Sequence, residues 1–69
     1  MDNEYSEVVE FDGMKVKIPD YINNKSGFYK RTGISEYHDS KGNGSLDVTY
    51  KTDEGKEITV NFAKTEVED

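Results

Sequence analysis

The 69-residue chain carries 15 Asp and Glu residues against 9 Lys and Arg residues, a formal net charge of −6. This length supports one small domain, and the acidic balance argues against a general nucleic-acid binder. Apolar residues make up 32% of the chain, and they form no run long enough to cross a membrane. The acidic N-terminus lacks the apolar stretch of a secretory signal, and the absence of Cys excludes disulfides and thiolate metal sites.

Residues 7–18 alternate between apolar and polar positions on either side of an Asp-Gly pair. Asp-Gly favours a type I′ turn, in which both central residues have positive φ. A two-residue loop at Asp12 and Gly13 pairs Phe11 with Met14, and the pattern therefore predicts a β-hairpin. The apolar residues of this hairpin then share one face: Val9, Phe11, Met14, Val16 and Ile18.

A second alternating segment, residues 46–63, is interrupted by the turn residues 53–55. A two-residue loop would place Tyr50 opposite a polar residue. A three-residue loop with Gly55 in the left-handed conformation is favoured, because it alone puts six large apolar side chains on one face. The partners expected from this loop are Tyr50 with Ile58, Val48 with Val60, and Leu46 with Phe62.

The middle of the chain is less regular. Pro19 suits the first position of a helix, so residues 19–24 are compatible with at most one short helical turn. Residues 28–38 predict a bent strand with a bulge near Gly33. The Gly- and Ser-rich residues 40–45 are typical of a turn.

The orientation of residues 34–38 stays open at this stage. Pairing across a turn with its tip at Asn43 and Gly44 puts Tyr37 beside Tyr50. The same pairing leaves the apolar Ile34 on the solvent side, so neither face is clearly preferred.

Together these segments predict a mainly β, single small domain with about five antiparallel strands. They comprise the hairpin 7–18, the bent strand 28–38 and the hairpin 46–63, within a domain of residues 1–64 and before an acidic C-terminal tail, residues 65–69. No long amphipathic helix is available to cover the sheet, so we expect it to curl or to close into a small barrel. A homodimer is the other way to cover such a face.

The carboxylates are unevenly distributed along the chain. Residues 1–13 hold five acids and no base, residues 14–34 hold five bases and one acid, and residues 35–69 hold nine acids and four bases. Alternate residues of a strand lie about 6.6 Å apart, close to two steps of a nucleic-acid backbone. A row of carboxylates on the first strand could therefore imitate a nucleic acid, or it could simply be a solvated face. The row comprises Asp2, Glu4, Glu10 and Asp12.

Residues 25–31 interleave bases with the aromatic residues Phe28 and Tyr29, as single-strand binders do. Only this segment is basic, and the rest of the chain repels phosphate. Direct binding of nucleic acid is therefore not expected. The simpler interpretation places an aromatic ring in the core and pairs Lys30 and Arg31 with nearby carboxylates.

Other candidate chemistry is weak. Residues 39–47 resemble a calcium loop, but Lys41 stands where a ligand is needed and Tyr50 where a bidentate Glu is needed. His38 is the only His, and no nucleophile motif accompanies it. We expect no enzymatic activity, no cofactor, no catalytic residue and no metal site.

The expected function is non-catalytic binding of a protein partner that is itself basic and handles nucleic acids, with inhibition or modulation of that partner. In size and charge the chain is similar to anti-defence inhibitors encoded by phages and mobile elements, which places it in the cytoplasm, or in the host cytoplasm if a phage encodes it. The alternative is a structural component that self-associates or adds an edge strand to a partner. The residues expected to contact the partner are Asp2, Glu4, Tyr5, Glu10, Asp12, Tyr37, Glu66 and Glu68.

Overall fold

A computed structural model describes residues 6–68 of the chain. These residues form an all-β domain of antiparallel strands, which confirms the predicted fold class, and they contain no helix that could cross a membrane. β1 and β2 form a two-stranded sheet, and the other four strands form a second sheet in the order β3-β4-β5-β6. The strands are β1 (Ser6–Phe11), β2 (Met14–Pro19), β3 (Tyr21–Asn24), β4 (Gly27–His38), β5 (Gly44–Lys51) and β6 (Glu57–Thr65).

The β1–β2 hairpin has the predicted register. Phe11 pairs with Met14 and Val9 with Val16 across a two-residue turn. Asp12 and Gly13 have φ values of 49° and 80°, as a type I′ turn requires. The Asp-Gly signal was therefore sufficient to fix this element.

The β5–β6 hairpin confirms the three-residue loop but corrects one pair. Tyr50 faces Ile58, and Gly55 takes a positive φ of 91°. The predicted pairing of Leu46 with Phe62 is wrong, because the register shifts after Leu46 and its partner is Ala63. One extra residue on β6 produces such a bulge, which bends the strand and increases its twist.

Residues 19–24 do not form the short helical turn that Pro19 suggested. Tyr21–Asn24 is instead the edge strand β3, paired with the start of β4. The Asn24 side chain accepts a 2.9 Å hydrogen bond from the backbone N–H of Ser26 and thereby closes the turn between the two strands. Ile22 pairs with the buried Tyr29, and this apolar contact favours a strand over a helical turn.

β4 contains the predicted bulge, since its register shifts between Arg31 and Gly33. Beyond the bulge, Ile34 lies opposite Val48 on the side of the sheet that faces the core. Tyr37 lies opposite Ser45 on the outer face and is 63% exposed. The structure thus settles the orientation that the sequence left open.

The four-stranded sheet curls around the β1–β2 hairpin as half of a barrel. The hairpin contributes two fully buried residues, Phe11 and Ile18, to the interior. Burying one such side chain contributes about 1.5–3 kcal/mol, so these two residues stabilise the packing of the hairpin against the sheet. The sheet contributes the other buried apolar residues: Tyr29, Leu46, Val48 and Tyr50.

Polar contacts fasten the open end of the hairpin to the sheet. Arg31 of β4 forms ion pairs with Glu7 of β1 at 2.9 Å and with Asp20 at 3.3 Å. The backbone N–H of Arg31 also donates a 2.8 Å hydrogen bond to the Asp20 carbonyl. These contacts join the open end of the hairpin to β4.

Candidate functional site

Three segments meet at the opposite end of the hairpin: the β1–β2 turn, the β4–β5 loop (residues 39–43), and the end of β6 with the residues that follow it (residues 65–68). Asp12 of the turn lies 2.9 Å from Nε2 of His38, the last residue of β4. The other carboxylate oxygen of Asp12 accepts a hydrogen bond from the Thr65 hydroxyl at the end of β6. One side chain therefore joins the hairpin turn to both neighbouring strands.

The net negative charge of the described residues is concentrated in this region, which we call the acidic end. Six carboxylates and three lysines lie there, whereas the rest of residues 6–68 carries six acids and six bases. The acidic end therefore attracts cations, while the rest of the described residues carries no net charge. Its charged residues are Glu10, Asp12, Lys15, Glu36, Asp39, Lys41, Lys64, Glu66 and Glu68.

Asp12 is held in its ionised form by its hydrogen bonds. The Thr65 hydroxyl and then the His38 ring donate to the carboxylate, and both bonds lower the pKa of Asp12 below its usual 3.8. The carboxylate thus keeps its negative charge at moderately acidic pH, although it is already engaged by protein groups.

The His38 ring has a fixed position. It stacks on the buried Phe11 ring with 5.6 Å between centroids and 20° between planes. It also lies over Gly44, where an added Cβ would be 2.7 Å from the His38 ring. Glu36, two residues earlier on the same face of β4, places a carboxylate oxygen 3.8 Å from Nδ1. Each ring nitrogen therefore faces a carboxylate.

This arrangement does not activate a nucleophile. In a hydrolytic triad the imidazole lies between the hydroxyl and the carboxylate, so that it can accept the hydroxyl proton. Here the carboxylate of Asp12 lies between Thr65 and His38, and the hydroxyl donates to the carboxylate instead. The geometry is that of an anchor for the hairpin turn or of a ligand site.

The loop of residues 39–43 is closed by its own hydrogen bonds. Asp39 accepts from the backbone N–H groups of Lys41 and Asn43, both at 3.0 Å, and from the Asn43 side chain at 2.9 Å. The Asn43 bond is the main reason why the pKa of Asp39 is lowered. The Asn43 amide oxygen in turn accepts the backbone N–H of Val67 at 2.7 Å. The calcium-like spacing therefore corresponds to a turn whose carboxylate binds its own loop.

Three exposed apolar side chains accompany the charges at the acidic end. Met14 next to the hairpin turn and Val67 after β6 are each 44% exposed. Tyr37, near the end of β4, projects from the outer face of the sheet. Exposed apolar groups surrounded by charge are typical of protein-binding surfaces, where the apolar contacts hold a partner that the charges attract.

The residues predicted to contact a partner are only partly described by the structure. Asp2, Glu4 and Tyr5 lie outside residues 6–68. Glu10 faces Lys15 across the hairpin, whereas Asp12 belongs to the turn and bonds to His38 and Thr65. The expected alignment of Asp12 with Glu10 in one outward row is therefore wrong, because the turn removes Asp12 from the strand. The remaining predicted residues, Tyr37, Glu66 and Glu68, all lie at the acidic end and are exposed.

Sequence reasoning missed the contribution of Glu36 and the surroundings of His38. The spacing Glu-x-His on a predicted strand was a usable signal, because residues two apart on a strand share a face. The other carboxylate beside His38, that of Asp12, is 26 residues away in sequence, so no local sequence pattern indicates it.

A shallow cleft of about 380 Å³ lies at the other end of the sheet, between the β3–β4 and β5–β6 turns. Phe28 lies in it, and its ring contacts Tyr21 on the outer face with 5.0 Å between centroids. Asp53, Glu54 and Lys56 line the same cleft, so its charges are mixed. It offers no clear preference for a cation or an anion.

The basic segment 25–31 is partly turned inward. Tyr29 is 3% exposed and belongs to the core, and Arg31 is paired with Glu7 and Asp20. Its aromatic and basic side chains are thus not all available on one surface.

The chain matches no protein-family model, and no curated protein and no solved structure is significantly similar to it.

Proposed function

We propose that this protein is a non-catalytic binding domain that docks its acidic end on a basic protein partner. The observation that carries the proposal is the separation of charge between the two ends of the domain. The net negative charge of residues 6–68 lies at the end where the hairpin turn, the β4–β5 loop and the segment after β6 meet.

Such a distribution orients the domain as it approaches a basic surface. A charged end facing an oppositely charged partner raises the association rate and selects the orientation of the encounter. Charge alone gives little affinity at physiological salt, because exposed ion pairs are screened. The exposed Met14, Tyr37 and Val67 supply the apolar contacts that would slow dissociation.

The partner we favour is a protein that handles nucleic acids, because such proteins carry the basic grooves that a cluster of carboxylates fits. Docking there would exclude the nucleic acid and inhibit the partner. A small acidic domain of this kind, encoded by a phage or a mobile element, would inhibit a host nuclease in this way.

The test is capture from a lysate of the source cell with three immobilised proteins. The first is the unmodified chain. The second is the triple variant Glu10→Gln, Glu66→Gln, Glu68→Gln, which removes three charges from the acidic end. The third is Asp53→Asn, Glu54→Gln, Glu57→Gln, which removes three charges from the opposite end and so has the same net charge as the second.

We expect the unmodified chain and the opposite-end variant to retain a basic protein that the acidic-end variant loses. The association rate with that protein should fall steeply as salt increases, because steering is screened over about 8 Å at physiological ionic strength. Equal retention by all three proteins would show that the acidic end is not the docking surface.

A second function, assembly through an edge strand, is favoured by β6. This strand spans nine residues and forms an edge of the four-stranded sheet. An exposed edge can add a strand from another chain. Light scattering distinguishes the two functions, since a monomer at all concentrations favours the binding domain and a stable dimer favours assembly.

A further inference from the structure

We propose that Asp12, Glu36 and His38 form a binding site for a divalent transition-metal ion of the zinc type. One ligand atom from each residue lies within 4.8 Å of the other two. This metal site is additional to the proposed docking function, and its test requires no docking partner.

The spacing of the ligand atoms fits a first-row metal once the Glu36 side chain has rotated. Zinc binds imidazole nitrogen and carboxylate oxygen at about 2.0–2.2 Å, so two ligand atoms on one ion are separated by roughly 3.0–3.5 Å. Asp12 Oδ1 and His38 Nε2 are 2.9 Å apart, close to this range. An imidazole binds one ion through one nitrogen, here Nε2, whereas the Glu36 carboxylate lies 3.8 Å from Nδ1. The Glu36 side chain is exposed, and rotation about its own bonds must carry the carboxylate from the Nδ1 side of the ring to the Nε2 side to complete the site.

The imidazole is already fixed in place before any ion binds. Phe11 supports one face of the His38 ring, and Gly44 leaves the space that the ring occupies. Asp12 is likewise fixed by the type I′ turn and by Thr65. Pre-arranged ligands bind more tightly, because less side-chain entropy is lost when the ion arrives.

The electrostatics of the cluster also favour a cation. Two carboxylates lie within 4.8 Å of each other at an end of the domain where acids outnumber bases by six to three. A divalent ion between them relieves their mutual repulsion. The Thr65 hydroxyl donates a hydrogen bond to Oδ2 of Asp12, the oxygen that does not face His38, and would help to orient this ligand.

The ligand set selects among cations. Imidazole is a good ligand for zinc, copper and nickel, whereas calcium and magnesium prefer oxygen ligands alone. Three protein ligands leave one position of a tetrahedral ion for water or for a group from a partner. Binding would add two positive charges to the acidic end and thereby tune its attraction for a basic partner.

The experiment titrates the tag-free chain with zinc chloride in a non-chelating buffer, followed by calorimetry and by amide NMR. We expect one zinc ion per chain, with the largest NMR shifts at the hairpin turn and at the end of β4. Calcium chloride at the same concentrations should produce no comparable shifts.

Three variants test the assignment. His38→Gln and Glu36→Gln should each weaken zinc binding at least about tenfold, since even partners outside the first coordination shell change metal affinity by this factor. Glu36 has an exposed side chain, so Glu36→Gln is expected to fold normally. It therefore still tests the site if His38→Gln fails to fold. The double variant Glu66→Gln, Glu68→Gln removes two charges from the same end without touching the ligands, and its affinity should stay within about threefold of the unmodified chain.

The site would be overturned by a lack of zinc binding at millimolar concentration, or by binding that both ligand variants leave unchanged. Binding of calcium as strongly as zinc would also contradict it, because a role for the imidazole would then be lost. None of these results depends on the docking partner, so the failure of either proposal can be recognised separately.

Discussion

The Tyr50 hydroxyl donates a 2.7 Å hydrogen bond to the Pro19 carbonyl, which joins the middle of the sheet to the end of the β1–β2 hairpin. The Tyr50 side chain is fully buried and Pro19 is half-buried, so this bond lies at the edge of the core. Together with the ion pair between Arg31 and Glu7, it holds one end of the hairpin, whereas the hydrogen bond between Asp12 and His38 holds the other.

We expect Tyr50→Phe to lower the free energy of unfolding by about 1 kcal/mol, because the Pro19 carbonyl loses a buried donor. In a domain of this size the melting temperature should fall by roughly 4–8 °C for each kcal/mol. The matched control is Tyr37→Phe, which removes a hydroxyl from a side chain that is 63% exposed. Thermal unfolding followed by circular dichroism measures both, and equal effects would contradict the role of the bond.

We also expect Tyr50 to make the free energy of unfolding depend on pH in the alkaline range. Burial is the main cause that raises the pKa of Tyr50 above 10.0, and Arg31 offsets part of the effect. The unfolded chain then ionises before the folded one, so the contribution of this group is complete below pH 10.0 and is lost as the pH rises above it. Urea unfolding at a series of alkaline pH values should show that the free energy of unfolding declines less for Tyr50→Phe than for Tyr37→Phe. The same decline in both variants would rule out Tyr50 as the source.

Most of the fold could be predicted because, in two of its hairpins, residues within the hairpin itself determine the register. Asp12 and Gly13 define one turn, and the apolar partner of Tyr50 decides the loop length of the other. β3 was missed because Pro19 favours a helix start locally, whereas pairing of Ile22 with Tyr29 decides the outcome. That pairing depends on the turn that Asn24 closes.

The candidate site was predictable only in part. Composition and charge predict contact residues that include Tyr37, Glu66 and Glu68, and these three side chains lie at the acidic end. The cluster around His38 requires the hairpin to lie along the sheet, and this placement results from the burial of Phe11 in the core. No spacing within either element encodes that contact.

Asp47 should make the domain sensitive to acid. Hydrogen bonds from Asn61 at 3.0 Å and from Ser45 at 2.8 Å lower the pKa of Asp47 below 3.8. A lowered folded-state pKa gives stability that is present above 3.8 and is lost as the pH falls through the folded value. Asp47→Asn should therefore be less stable than the unmodified chain at neutral pH, and the difference should vanish in strong acid.

Urea unfolding at several pH values measures this difference. Asp53→Asn serves as the control, because it removes one negative charge from an exposed turn. A gap between Asp47→Asn and the unmodified chain that persists unchanged in strong acid would show that the carboxylate charge is not its cause.

Gly44→Ala should be among the most damaging small substitutions in the domain. A Cβ at this buried position would be 2.7 Å from the His38 ring and 3.2 Å from the Phe11 ring. Phe11 is fully buried and cannot retreat, so His38 must leave Asp12 or the core must shift, at a cost of about 1–3 kcal/mol. Gly33→Ala is the control, because its added Cβ meets no atom within 4 Å and should change stability by less than about 0.5 kcal/mol. Chemical denaturation compares the two, and equal losses would mean that the close packing at Gly44 does not hold the hairpin turn.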